Sequence, residues 1–204
     1  MDPLIALAAR LLQMVRRLDF ITPLALRLYL APIFLESGWR KFSDIESTAA
    51  WFGNPDWGLG LPFPHLQAWM ATSTELIGGV CLLLGLAVPW LAIPLIFLLL
   101  VAIATVHGAH GWLAIVGPTN GTSGLFANDA TREAVTHLER AKEILQAHGN
   151  YDWLTQAGSF VILNNGVELV VAYIIMLSAL FFWGGGRYLS ADYWIRHWWE
   201  TKQR

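Results

Sequence analysis

Glu75, His107 and Glu168 are the residues whose types could move a proton, and each falls inside or at the end of a long apolar stretch. A carboxylate or an imidazole acts as general acid or base when a proton must pass to or from a bound group. Arg27 lies in a similar setting, where it could hold a carboxylate or a ligand's negative charge. Asn164 stands four residues before Glu168, so a helix would put both on one face. Asn165 adds a second amide. His107 and His110 are three apart and would also be helix neighbours. With Glu75 and Glu168 they offer an alternative reading, a metal site. A bis-His haem would need histidines on facing helices, and the apolar stretches carry His on only one. Glu36, Arg40 and Lys41 end another apolar stretch.

The solvent of these groups follows from composition. Of 204 residues, 55% are hydrophobic and 14% charged, against about 25% charged in a soluble domain. Disorder is excluded, because it requires low hydrophobicity and high charge. A net charge of −2 leaves no basic excess for nucleic acid. Eleven Trp suit anchoring at a membrane–water interface. The single cysteine, Cys81, rules out an internal disulfide, a dithiol motif and a cysteine-ligated cluster.

Four stretches are long enough to cross a bilayer at about 17–25 residues each: residues 20–38, 68–87, 89–111 and 159–183. Val88-Pro89 marks a turn between the second and third. Residues 1–19 read as an interfacial amphipathic helix, with leucines on one side and Arg10, Arg16 and Arg17 largely on the other. Residues 39–67 read as a Trp-rich interfacial loop. Residues 112–158 form a longer loop containing an amphipathic helix over 129–148, capped by Asn128 or Asp129 and ended by Gly149. Its apolar stripe would pack on the protein's own loop or on the bilayer, with a partner-docking surface as the alternative. Residues 184–204 make an aromatic and basic tail. The fold class is therefore all-α: one integral membrane domain over 1–204, a four-transmembrane-helix bundle with an N-terminal interfacial helix and a helical insertion between spans three and four.

Lys and Arg are more numerous in the two terminal segments than in the two long loops, which predicts both termini in the cytoplasm and the long loops outside it. At about 1.5 Å per residue, Glu75 then lies roughly 10 Å, and Glu168 roughly 14 Å, below the outer surface. His107, His110, Glu36, Arg40 and Lys41 sit at that surface. Arg27, near the midplane, could reach either glutamate. The expectation is one polar cluster in the outer half of the bundle. A buried Arg27–Glu pair that merely fixes helix register is the alternative.

Further residues carry a family pattern. The first span runs from Arg27 to Gly38-Trp39-Arg40-Lys41-Phe42, followed by Trp51-Phe52; the second carries Glu75-Leu-Ile-Gly-Gly and Leu83-Leu84-Gly85; the third ends Val106-His107. This resembles the DoxX family of small four-helix membrane proteins, related to the DoxD-like subunit of thiosulfate:quinone oxidoreductase. The resemblance covers residues 20–111 and, more loosely, the fourth span. It implies a bacterial inner-membrane subunit linked to redox chemistry, with a quinone as the small-molecule partner. It carries over Arg27, Lys41, Glu75 and His107. On this reading Glu75, His107 and Glu168 are catalytic, while Arg27, Lys41, Asn164 and Asn165 bind quinone or pair charge. Electrons would come from another membrane or periplasmic subunit, since no haem, flavin or iron–sulfur motif is evident. The alternatives are a non-catalytic anchoring or assembly subunit, and a metal-binding accessory protein using His107 and His110.

Overall fold

The structure is a computed structural model that describes residues 18–203. The interfacial helix expected over 1–19 lies almost wholly outside the described residues. The fold is all-α apart from one two-stranded ladder. Among the described residues the helices are α1 (Ile21–Ser43), α2 (Ile45–Gly53), α3 (Pro64–Leu84), α4 (Val88–Ala102), α5 (Pro118–Ser123), α6 (Asp129–His148), α7 (Tyr151–Leu154), α8 (Glu168–Trp183) and α9 (Ala191–Lys202). The strands β1 (Ile115–Val116) and β2 (Ile162–Leu163) pair antiparallel. The chain divides into two compact units, one of residues 18–101 and 173–203, the other of residues 102–172.

In the first unit α1 packs along α3, and α2 packs on α3 through Ala49, Phe52 and Ala68. Small residues make the contact close. A Cβ on Gly79 would stand 2.7 Å from Leu35 Cγ, and one on Gly38 would stand 3.0 Å from Glu75 Cβ. Such approach is what joins helices where lipid removes any hydrophobic drive between them. The interior of this unit is apolar at Leu30, Phe34, Leu82, Leu95, Leu177 and Leu180 but also holds polar groups. Arg27, Thr72 and Glu75 are buried, whereas Leu28, Ile77, Val80, Phe97 and Leu100 face outward. Aromatic residues gather at both ends. Trp39, Phe42 and Trp69 touch at one, and Trp90, Trp183 and Trp199 line a cleft with Phe20 and Thr22 at the other. From Thr22 to Trp39 α1 rises about 26 Å, close to the hydrocarbon thickness of a bilayer.

Among the described residues one helix is long and apolar enough to cross a membrane by itself, Val88–His110. It continues α4 through a π-helical turn at Ile103–His107 and a 3₁₀ turn at Gly108–His110. Pro89 opens this helix rather than breaking it; the turn before it lies at Gly85–Ala87, where both residues have positive φ (67° and 50°). α1 and α3 have the length, 23 and 21 residues, but their interior faces carry the polar groups just named. α8 is apolar and only 16 residues long. The stretch 159–183 is thus not one helix: residues 159–167 are non-helical and hold β2, and the helix starts at Glu168. The Trp-rich connection 39–67 is also more helical than a loop, because α1 continues to Ser43 and Asp44 then caps α2 by accepting from Ser47 N–H (3.1 Å).

The second unit is built around Leu113, Val116 and Val135, with Trp112, Ala134 and Ile162 against them. α6 lays Thr131, Val135 and Leu138 onto this core, so its stripe serves the chain's own packing. Asn128 and Thr131 cap its start reciprocally (2.9 Å each way). The Asn120-Gly-Thr sequence sits in α5 with its amide engaged, Nδ2 donating to Ile115 O (2.9 Å).

Gly85 is the position least able to accept a side chain. Its φ is 67°, and a Cβ there would stand 1.6 Å from Arg27 Nη1. Gly85→Ala should lower unfolding stability by about 2 kcal/mol or more, from strain and overpacking together. Thermal unfolding of the purified protein in mild detergent reads this.

Candidate functional site

Glu75 sits on the buried face of α3, with 4% of its surface exposed. Lys41, one helix over on α1, places its ammonium 2.8 and 2.7 Å from the two carboxylate oxygens. The spacing of α1 completes the arrangement. Ser37 is one turn before Lys41; its Oγ accepts from Lys41 Nζ (2.8 Å) and donates to Glu75 Oε1 (3.2 Å). Lys41 has three N–H donors, and all three are used. Gly38 leaves room for the glutamate stem. One turn before Glu75 is Thr72, 1% exposed, whose Oγ1 has no hydrogen-bond partner. An unpaired hydroxyl beside a closed ion pair is where an incoming polar group would be held.

Arg27 does not join this pair. It lies 14 residues before Lys41 on α1, about 21 Å away along the helix. Neither Glu75 nor Glu168 is its partner. Nη2 donates to Leu189 O (2.6 Å), and Nε and Nη1 are buried without partners. The physical reason is the turn at Gly85, whose missing side chain admits the guanidinium. The same turn receives the segment before α9. Ser190 Oγ donates to Gly85 O (2.8 Å), and Asp192 accepts from Ala87 N–H (2.7 Å) and Val88 N–H (3.2 Å), capping α4 from a distant part of the chain. The buried Arg27 therefore fixes one end of the unit, not its middle.

The remaining predicted residues belong to the second unit. His107 Nδ1 lies 2.7 Å from Asn165 O. A carbonyl only accepts, so Nδ1 carries the proton and Nε2 is left as an acceptor. Glu168 is not a buried mid-span carboxylate: it is the exposed first residue of α8, and its Oε2 accepts from Ala114 N–H (3.1 Å). Asn164 shares no helix face with it. Lying before α8, Asn164 donates from Nδ2 to His110 O and Leu113 O (2.7 Å each). Asn165 makes the return turn with φ 60°. The expectation of one Arg27–Glu75–Glu168–His107 cluster thus gives way to separate networks, because each group except the Lys41–Glu75 pair is bonded to backbone nearby. Among the described residues no three of His, Cys, Asp and Glu are grouped to hold a metal ion, so His107 and His110 have no third ligand. Glu36 and Arg40 are exposed.

The sequence reading missed Ser37, Thr72, Ser190 and Asp192. Ser37 and Thr72 were discoverable, since they lie four and three residues from Lys41 and Glu75 on helices. Asp192 reads from sequence as a first-turn acid of its own helix; its service to α4 depends on the tertiary fold.

Residues 22–108 match the DoxX family. This segment is a DoxX domain. It contains Arg27, Ser37, Lys41, Thr72, Glu75 and His107, and the family together with the spanning helix Val88–His110 makes the chain a membrane protein. The loop carrying β1, α5, α6 and β2 lies outside the matched DoxX segment. No curated protein and no solved structure matches the chain.

Asn164→Ala should leave two backbone carbonyls unpaired and cost about 1–3 kcal/mol. Amide exchange at Gly166 and Val167 should accelerate, while the α1–α3 helices exchange as before. Hydrogen–deuterium exchange mass spectrometry checks both halves.

Proposed function

We propose that the chain is a DoxX-type, four-span integral membrane subunit linked to redox chemistry at the quinone pool, with the Lys41–Glu75 pair as its working polar site. The observation that carries this is a buried glutamate paired with a half-buried lysine in a bundle whose outer surface is apolar. Charges in the apolar region of a membrane protein are costly and usually mark substrate or proton routes. The spans are α1, α3, the helix Val88–His110 and α8, the last entered from the non-helical segment 159–167. Both termini are assigned to the cytoplasm. Arg187, Arg196 and Lys202 support this, because they follow α8 closely, whereas Arg132, Arg140 and Lys142 of α6 lie too far from either flanking span to count.

A bound quinone supplies two-electron, two-proton chemistry and needs donors or acceptors at its oxygens. The residues fit that need conditionally. With Glu75 ionised, Lys41 is saturated and offers nothing. When Glu75 takes a proton its hold on the ammonium weakens, and Lys41 gains a free N–H. Glu75 thus holds the proton, Lys41 donates once Glu75 is neutral, and Thr72 Oγ1 supplies a further hydroxyl. A partner subunit provides the electrons. Arg27 and Glu168 take no part, being tied to Leu189 and Ala114.

A short-chain benzoquinone titrated into the purified protein should bind saturably, and Glu75→Gln and Thr72→Val should each weaken it about tenfold or more, the loss of one good polar contact. Wild-type affinity in both variants contradicts the reading. A second reading, a non-catalytic anchoring or assembly subunit, is favoured by the closure of the Ser37–Lys41–Glu75 network. In that case the variants lose co-purifying protein subunits and the wild type shows no saturable quinone binding.

A further inference from the structure

The DoxX reading makes no use of the cleft at the end of the first unit remote from Lys41. Its volume is ≈ 1100 Å³, and it lies between one face of α9 and the start of α1, the start of α4 and the end of α8. We propose that this cleft holds the headgroup of one aminophospholipid, its phosphate at Arg196 and Arg187 and its ammonium at Glu200 and Asp19.

Place and charge both carry the inference. The cleft opens where the membrane-crossing helix Val88–His110 begins, and Trp90, Trp183 and Trp199 line it. Indoles favour that depth, where headgroups lie. Its charged residues are of both signs. Asp192 is already satisfied by the Ala87 and Val88 amides. Arg187 and Asp19 approach only to 3.9 Å. Among the described residues Arg196 and Glu200 have no ion pair or hydrogen bond from their side chains. A lining with two arginines and two available carboxylates complements a zwitterion better than a simple anion. The guanidinium plane suits a phosphate's paired oxygens, and a primary ammonium supplies three N–H donors to carboxylates. Below the cleft, Trp90, Ile93, Phe97 and Leu100 are exposed at helical spacing. They form an apolar stripe about 15 Å long, a seat for an acyl chain. Lys202 is occupied over the Trp198 ring at 4.1 Å and faces away from this lining.

Native mass spectrometry of the full chain, delipidated in mild detergent and titrated with single lipids of equal acyl length, tests the proposal. Phosphatidylethanolamine should be retained one per chain at about tenfold lower concentration than phosphatidylcholine, whose head has no N–H, or phosphatidylglycerol, whose head has no cation. Glu200→Gln should abolish the preference over phosphatidylcholine, and Arg196→Gln should weaken retention of all three lipids, with unfolding temperatures unchanged in both. Millimolar inorganic phosphate should displace none of them. Equal retention of the three lipids, or preference intact in both variants, would overturn the proposal in favour of annular lipid. Displacement by phosphate would overturn it in favour of a soluble anion site. None of these readings requires quinone, so the outcome is independent of the proposed redox role.

Discussion

One constraint sets how the first two long helices meet: the buried Glu75 carboxylate must keep the Lys41 ammonium beside it. Lys41 reaches Glu75 with both carboxylate oxygens within 2.8 Å. Taking either charge into an apolar medium alone costs several kcal/mol. The pair therefore dictates the relation of α1 to α3: their crossing is close, glycines lie at the contact, and Ser37 fills the last donor of the ammonium. Apolar side chains also cover the outside of the unit, around an interior of leucines and small residues into which these polar groups are set.

The far end of the same unit solves a different problem. The chain must return after α8 and join the turn between α3 and α4. Gly85 provides the left-handed turn and the space for Arg27, while Ser190 and Asp192 tie the returning segment to it. A buried arginine with one hydrogen bond is costly there, and the neighbouring Asp192 charge offsets part of that cost. The two ends differ in chemistry, with a closed ion pair at one and a cleft lined by charges of both signs at the other.

Much of this was legible in the residues. Length, apolarity and Trp content point to the bilayer, and the match to DoxX over residues 22–108 agrees. α6 follows from its Asn128 cap and its stripe, both local signals. Glu75 stood out as a charge in apolar company, and Lys41 as a position of the DoxX pattern at the end of the first span. What failed was pairing. Arg27 looked free to reach any carboxylate in a thin bundle, yet a glycine turn more than fifty residues away receives it. The fourth stretch looked helical throughout because hydropathy does not distinguish a strand from a helix. Asn164 and Asn165 mark the break, since amide side chains there take backbone carbonyls, or a positive φ, instead of continuing a helix. Such choices depend on neighbours distant in sequence, which periodicity does not contain.

The central claim is that the Lys41–Glu75 pair holds α1 against α3, and a double-mutant cycle in unfolding free energy measures it most directly. Lys41→Met should cost about 3–5 kcal/mol by leaving the Glu75 carboxylate buried and unpaired, and Glu75→Met should cost less, because Lys41 is half-buried. The double variant should recover most of that loss, giving a coupling of about 2 kcal/mol or more. Additive losses, or single variants as stable as the wild type, would contradict the account.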